Sequence, residues 1–437
     1  MEIKTSINSF SEFEVQPESI VQPGYLTPPQ IATAYNIPAS NGAGVKVGII
    51  SLGGGYQVSD NNQSLSDLGL PNATINAIPI DQTVGWTPAT NFSSNYSTPN
   101  GSASLENALD LYCVSAMVPS ANINIYVGLN TLGSFVNCIN HAVSDNCDVI
   151  SISWGIDEYY LVSPQSSYGD FLGQPLANAV ANNITTFCSS GDYGSESDTT
   201  GTVALSAGYP ASSPNVIGVG GTSLTLGSGN IRASETANAS SGGGISTLFS
   251  VPKYQNNLSY TTYPGNVTQT LTSGILSSSP LIGRGVPDIS APMNAYTLYF
   301  GGSIVAVGGT SASTPVMAGM LSRFISLNHG RRFPLSMLKQ LLYQNTQDFY
   351  DLTTGNNASP PTSTGYKSTV GWDAVTGLGS IANGVALYQA VTSAGRTIKN
   401  GSGWQPVQNI NIKTGPSSWT AVNKVWTKTA TGWVQTF

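Results

Sequence analysis

Charge is the scarcest commodity in this chain. Its 437 residues hold 15 Lys and Arg and 22 Asp and Glu, 8% in all, where a globular domain usually carries about a quarter. Ser, Thr, Asn and Gly take the vacated positions, and the apolar share of 40% remains that of a folded protein, which excludes disorder driven by net charge. A formal charge of -7 leaves no basic patch for nucleic acid and no polybasic membrane anchor. So few charges suit acid, where carboxylates are neutralised and surplus Lys or Arg would only repel.

Other absences narrow the field further. No stretch reaches eighteen apolar residues, so no membrane-spanning helix is expected. The stretch Met1–Thr5 lacks the apolar core of a signal peptide, so export would use a signal already removed or an unusual route. The four cysteines, Cys113, Cys138, Cys147 and Cys188, contain no CxxC pair, which argues against a metal knuckle or redox motif and leaves buried thiols or one or two disulfides. Sequons such as those at Asn72, Asn91, Asn183, Asn266 and Asn400 permit an extracellular setting. Histidine occurs only at 141 and 329.

What is present is an alternation of short apolar runs and helical patterns. Strands are expected at 45–51, 123–127, 149–154, 185–189 and 216–219. Helices are expected at 105–117, with Leu105, Ala108, Leu109, Tyr112 and Ala116 on one face, at 131–146 and near 175–182. The Asn/Ser/Thr-rich stretch 82–103 reads as a loop. This is the signature of an α/β fold: a mainly parallel sheet with helices on both faces, and chemistry at the carboxyl ends of its strands. Residues 1–24 read as an N-terminal arm or the remnant of a pro-segment. From 396 to 437 the character changes: Trp404-x-x-Val407 recurs as Trp419-x-x-Val422, and Trp433 opens a third copy. This points to small β-hairpin repeats, either a cap on the main domain or an appendage for assembly or surface attachment.

Gly308-Gly309-Thr310-Ser311 precedes the helix-forming run 316–321. A serine there would sit at a helix N-terminus, where free N–H groups favour developing negative charge; the same residues would equally make an ordinary capping turn. A nucleophile needs a base. His141 falls within a helix and His329 in a His-Gly-Arg-Arg turn, and neither suits that role. Glu106 and Asp110 lie at i and i+4, on one helix face. They make either a solvated surface pair or a pair that shares a proton, with one pKa raised. Asp192, in Ser190-Gly191-Asp192 after a strand, is a turn residue or, protonated in acid, a donor to an oxyanion.

With these residues in place, the chain resembles the sedolisins, or serine-carboxyl peptidases. The resemblance runs from about Leu26-Thr27-Pro28 to residue 390. It is carried by Gly53-Gly54-Gly55-Tyr56, Glu106-x-x-x-Asp110, Ser151-Ile152-Ser153-Trp154-Gly155, Ser190-Gly191-Asp192, Tyr209-Pro210, Gly242-Gly243-Gly244, Arg284-Gly285-Val286-Pro287-Asp288 and Gly309-Thr310-Ser311.

It implies a subtilisin-like peptidase domain over residues 25–395, acting in acid on protein or peptide substrates outside the cell. Ser311 would be the nucleophile, Glu106 the base and then acid, Asp110 its partner and Asp192 the oxyanion donor. It also implies one structural Ca²⁺, held by the side chains of Asp351 and Asp373 and the carbonyls of Leu352, Thr369 and Gly371. The chain departs from the family at Ser51, where an acidic residue is common, and at Thr369, where Gly is frequent. The large pro-domain does not lie within these residues, so the chain is expected to be a matured product or a form that folds without it. The rival expectation is a surface or virion structural protein in which the peptidase fold is a scaffold and 396–437 carries attachment.

Overall fold

The computed structural model describes residues 21, 24–162, 168–195, 205–358 and 363–394, with short strands at 4–5, 9–11, 397–400, 403–406, 411–413, 419–421, 426–429 and 432–435. The chain forms two compact units, 1–386 and 387–437.

The first unit is built on an eight-stranded sheet. In chain order its strands are β1 (Lys46–Ser51), β2 (Thr74–Pro79), β3 (Asn122–Val127), β4 (Val149–Ile152), β5 (Thr185–Ser189), β6 (Ile217–Leu226), β7 (Arg232–Ala237) and β8 (Ile289–Pro292). Their spatial order is β7-β6-β5-β4-β1-β3-β2, with β8 also pairing with β6. All pairings are parallel except β6 with β7. The central strands β4 and β5 are buried along their whole length, because a parallel sheet is covered on both faces. That explains their continuous apolar runs in place of alternation.

Three helices matter for the site or its scaffold: α1 (Pro99–Met117), α2 (Leu132–Ser144) and α3 (Thr310–Leu327). Helix α1 begins six residues before the expected start. Thr98 caps it by accepting a hydrogen bond from the Gly101 N–H at 3.1 Å, and Pro99 sits at its first turn, the position where a missing N–H costs nothing. The expected loop 82–103 also contains a short helix, Pro88–Asn91. Helices α1 and α3 cross closely at Gly319, where an added Cβ would lie 2.5 Å from the Met117 Cβ. Cys113, Cys138, Cys147 and Cys188 are all buried free thiols, the first of the two alternatives their spacing left open.

The motif Arg284–Asp288 is a structural tie. The Arg284 Nη2 meets Asp288 Oδ2 at 2.6 Å with both side chains fully buried. Arg284 also donates to the Ala211 carbonyl, and Asp288 accepts from Gly218 N–H and the Tyr343 hydroxyl. Such a buried charge pair is tolerable only because its remaining hydrogen bonds are met.

The second unit contains three antiparallel strand pairs: Thr397–Asn400 with Gly403–Pro406, Asn411–Lys413 with Trp419–Ala421, and Trp426–Thr429 with Gly432–Gln435. Each pair sets a Lys opposite a Trp in register: Lys399 with Trp404, Lys413 with Trp419, Lys428 with Trp433. The hairpins therefore join the Lys of one sequence copy to the Trp of the next.

Candidate active site

Helix α1 is buried almost all round, so the expected single apolar face was too narrow a reading. Glu106 and Asp110 are completely enclosed, and the solvated-pair alternative does not hold. Burial disfavours the charged form of each and raises both pKa values. For Glu106 the Asp110 charge adds to that rise, and Asp192 adds a further push. The Ser153 hydroxyl, just past the end of β4, donates to Asp110 Oδ1 at 2.8 Å and holds that carboxyl's rise in check.

Ser311 is placed by backbone chemistry. Gly309 precedes α3 with φ +138°, a conformation that side chains rarely adopt, and it turns the chain from the strand Ser303–Gly308 into the helix. Ser311 is fully buried. Its hydroxyl and both Glu106 oxygens lack a formed hydrogen bond. The Ser311 hydroxyl nevertheless lies close enough to Glu106 to lower that carboxyl's pKa.

Asp192 approaches the same helix end from beyond β5. Its Oδ1 accepts from the Thr310 N–H at 2.8 Å and from the Thr310 hydroxyl at 2.7 Å. These bonds favour the anion, but burial outweighs them and pushes the group up to about 7. In acid Asp192 therefore carries a proton it can donate.

Beside these residues opens a cleft of about 440 Å³. Ala103, one turn before Glu106 on α1, is among the residues that line it. Trp154 and Tyr193, the neighbours of Ser153 and Asp192, also line it, as do Trp86, Gln82 and Asn100 from the 82–103 segment. The four sequence-selected residues are themselves buried and do not line this cleft; Glu106 stands three residues after Ala103 and Asp192 one before Tyr193. His141 and His329 are exposed surface residues.

Comparison with known proteins gives the family. The profile of the Subtilase family matches residues 42–372. The chain belongs to the subtilase family, in its sedolisin branch. Kumamolisin of Bacillus sp. (strain MN-32) is 32% identical over 397 residues, 87% of this chain and 66% of that protein. Tripeptidyl-peptidase 1 of Dictyostelium discoideum is 35% identical over 243 residues, 53% of this chain and 37% of the other. Among solved structures, Pseudomonas sedolisin (serine-carboxyl proteinase), complexed with two molecules of pseudo-iodotyrostatin, superposes with a TM-score of 0.67 at 26% identity. That match covers 84% of this chain and 97% of the sedolisin chain. The chain spans less than two thirds of the length of both kumamolisin and the Dictyostelium peptidase.

Three residues of this sedolisin escaped the sequence reading as site components: Ser153, Thr310 and Asn107. Each lay inside or beside a quoted motif, and nothing in the sequence says which way a Ser, Thr or Asn side chain points. Asn107, next to Glu106 and fully buried, donates to the carbonyls of Gly53 (3.1 Å) and Gly55 (3.3 Å). Its Oδ1 accepts the hydroxyl of Ser51, the residue standing where an acid is common in the family. Gly54 (φ +66°) lies so close to α1 that a Cβ would stand 2.5 Å from the Ser104 nitrogen. The Gly-Gly-Gly turn is therefore clamped to the helix that bears the carboxylates.

The residues expected to hold Ca²⁺ gather around one loop. Asp351 Oδ2 accepts from Gly371 N–H at 2.8 Å, and Asp373 Oδ2 accepts from Thr369 N–H at 3.0 Å. Asp373 is buried and Asp351 exposed, while Leu352 is buried beside them in sequence. Among the described residues no cluster of three or more acidic, His or Cys side chains is poised for a metal. Two carboxylates with backbone carbonyls remain a hard-oxygen set of the kind Ca²⁺ takes.

Proposed function

We propose that this chain is an acid-acting serine-carboxyl endopeptidase that cleaves peptide bonds through an acyl-enzyme on Ser311. The observation that carries this reading is the enclosure of Glu106, Asp110 and Asp192 around the Ser311 end of α3, with raised pKa values in place of a histidine.

In this reading Glu106, sharing one proton with Asp110, accepts the Ser311 hydroxyl proton as Oγ attacks the scissile carbonyl carbon. The carbonyl π electrons move to oxygen, and protonated Asp192 donates a hydrogen bond to that oxyanion. Collapse expels the amine, which takes its proton from Glu106. Water then attacks the ester with Glu106 again as base, releasing the acid and restoring Ser311. Desolvation makes this feasible in acid: it keeps Asp192 protonated at pH values where a free Asp is ionised. Asp351, Asp373 and the carbonyls of Leu352, Thr369 and Gly371 would hold one Ca²⁺, whose charge would tie segments 351–352 and 369–373 together.

The test is acid proteolysis by purified protein. Ser311→Ala and Glu106→Gln are each expected to lower kcat by about a thousandfold or more; wild-type-like cleavage by either variant rejects the assignment. For residues 396–437 we propose an added attachment or assembly role at the cell surface or on a virion, the alternative being a cap on the main domain. Deleting that segment should then leave peptidase activity intact and abolish attachment.

A further inference from the structure

We infer that Asn107 is a positioning residue for Glu106: with Ser51 it ties the helix that bears the base to the end of strand β1 and to the glycine turn that lines the cleft. The inference rests on the peptidase reading and adds a residue to the same site.

Glu106 has no hydrogen bond of its own to fix its place. Both of its oxygens are enclosed and lack a formed bond, as does the Ser311 hydroxyl. The carboxyl is therefore placed by the backbone of α1. The close crossing of α1 with α3, at Met117 and Gly319, lies eleven residues beyond Glu106, about 16 Å along the helix. Nearer to it are the Ser153 bond to Asp110 and the bonds of Asn107, the next residue in the chain.

Asn107 spends its whole amide on this fastening. Nδ2 donates to the Gly53 carbonyl at 3.1 Å and the Gly55 carbonyl at 3.3 Å, and Oδ1 accepts the Ser51 hydroxyl, so both N–H donors are used. Ser51 is fully buried and ends β1, where its carbonyl accepts the Gly128 N–H at 2.9 Å. The bonds thus run without a break from sheet to helix. One turn earlier on α1, Ser104 Oγ accepts the Gly55 N–H at 3.1 Å, so the glycine turn is bonded to two successive turns of the helix.

Gly53 and Gly54 line the cleft together with Ala103 of α1. A peptide seated there and the base that must meet Ser311 then share one fastening. A displacement of about 1 Å at such a base costs on the order of a hundredfold in rate. Neither the Asn amide nor the Ser hydroxyl ionises in acid, so the tie holds throughout the range in which the carboxylates titrate.

The experiment uses the full chain at acid pH, with kcat and KM for one peptide substrate expressed per folded molecule and Tm followed by circular dichroism. Asn107→Leu, close in volume but without the amide, should lower kcat about thirtyfold or more and leave KM within about threefold. Asn107→Asp, protonated in acid where it is buried against two carbonyls, keeps one donor and an acceptor for Ser51. It should recover kcat to within about fivefold of the wild type. Ser51→Ala should also lower kcat, and adding it to Asn107→Leu should cost less than about a further twofold, because both remove one tie. A Leu variant with lower Tm but wild-type kcat per folded molecule would reduce Asn107 to a structural role, and equal losses in the Leu and Asp variants would overturn the hydrogen-bonded tie. Should the Leu variant not fold, Ser51→Ala alone decides, since wild-type kcat in it overturns the inference. These outcomes leave the peptidase reading standing; no cleavage by the wild type would overturn both.

Discussion

The Ser153 hydroxyl donates to Asp110 Oδ1 at 2.8 Å and reaches the Ser311 carbonyl at 3.4 Å, so a single side chain touches both the acid pair and the nucleophile's backbone. Because this bond favours ionised Asp110, Ser153→Ala should, on the proposed mechanism, move the acid limb of the kcat/KM profile to higher pH. It should lower kcat about tenfold, the effect of one charge-assisted hydrogen bond. Lower activity with an unmoved pH profile would reduce Ser153 to a packing role.

On the proposed mechanism Asp192 would set the opposite limb. With its pKa pushed up to about 7 by burial, it donates in acid and stops donating as pH rises through that value. Cleavage should fall accordingly. Asp192→Asn keeps a donor that does not titrate, so it should retain measurable turnover while losing this alkaline limb. An alkaline limb preserved in the Asn variant would assign it to another group.

The same burial ties stability to acid. A carboxyl raised in the folded state binds its proton more tightly there than in the unfolded chain. Its contribution is complete below the unfolded pKa, near 4, and is lost as pH rises toward the folded value. For Asp192 the loss between pH 4 and 7 is on the order of 4 kcal/mol, and Glu106 and Asp110 act in the same direction. Thermal unfolding of the Ser311→Ala protein, chosen to prevent autolysis, should show a higher Tm at pH 4 than at pH 7. Asp192→Asn should flatten the difference, and an unchanged slope would refute Asp192's share of it.

If Asp351 and Asp373 hold Ca²⁺, a chelator should lower Tm by about 5 °C, the scale expected for an ion at a hundredfold excess over its Kd. Asp351→Asn should remove most of that response, because the exposed carboxylate has little structural role apart from its bond to Gly371. A Tm indifferent to chelator would make both aspartates loop caps.

Residues 4–5 and 9–11 pair with the strand edges that follow Ser153 and precede Ser311 in the chain, Trp154–Gly155 and Ala306–Gly308. A protein lacking residues 1–11 should bind peptide substrate more tightly, with KM lowered about threefold or more and kcat little changed. An equal or higher KM would show that these strands do not compete with substrate.

Much of this was readable from the chain. The runs at 45–51 and 149–154 read as strands because β-branched residues packed on both faces leave a continuous apolar trace. Ser311 stood out through its two preceding glycines, and Glu106 and Asp110 through their spacing. Less legible was the start of α1. Its first turn is Pro99-Asn100-Gly101-Ser102, a polar stretch that a Thr98 cap and a buried setting make helical. Ser153, Asn107 and Thr310 were invisible as site residues because their roles depend on partners 43 to 158 positions away for Ser153, and similarly remote ones for the others.

By itself, then, the sequence determined the parallel α/β scaffold, the absence of a suited histidine and the identity of the residues able to do acid–base and nucleophilic work, since these rest on local pattern and side-chain chemistry. Only the tertiary structure decided their protonation. The spacing of Glu106 and Asp110 fits an exposed, repelling pair as well as a proton-sharing one. Wrapping α1 on every side strips both of water, sets Asp192 against the start of α3 and raises all three, because desolvation is a property of the surrounding fold and not of the residue.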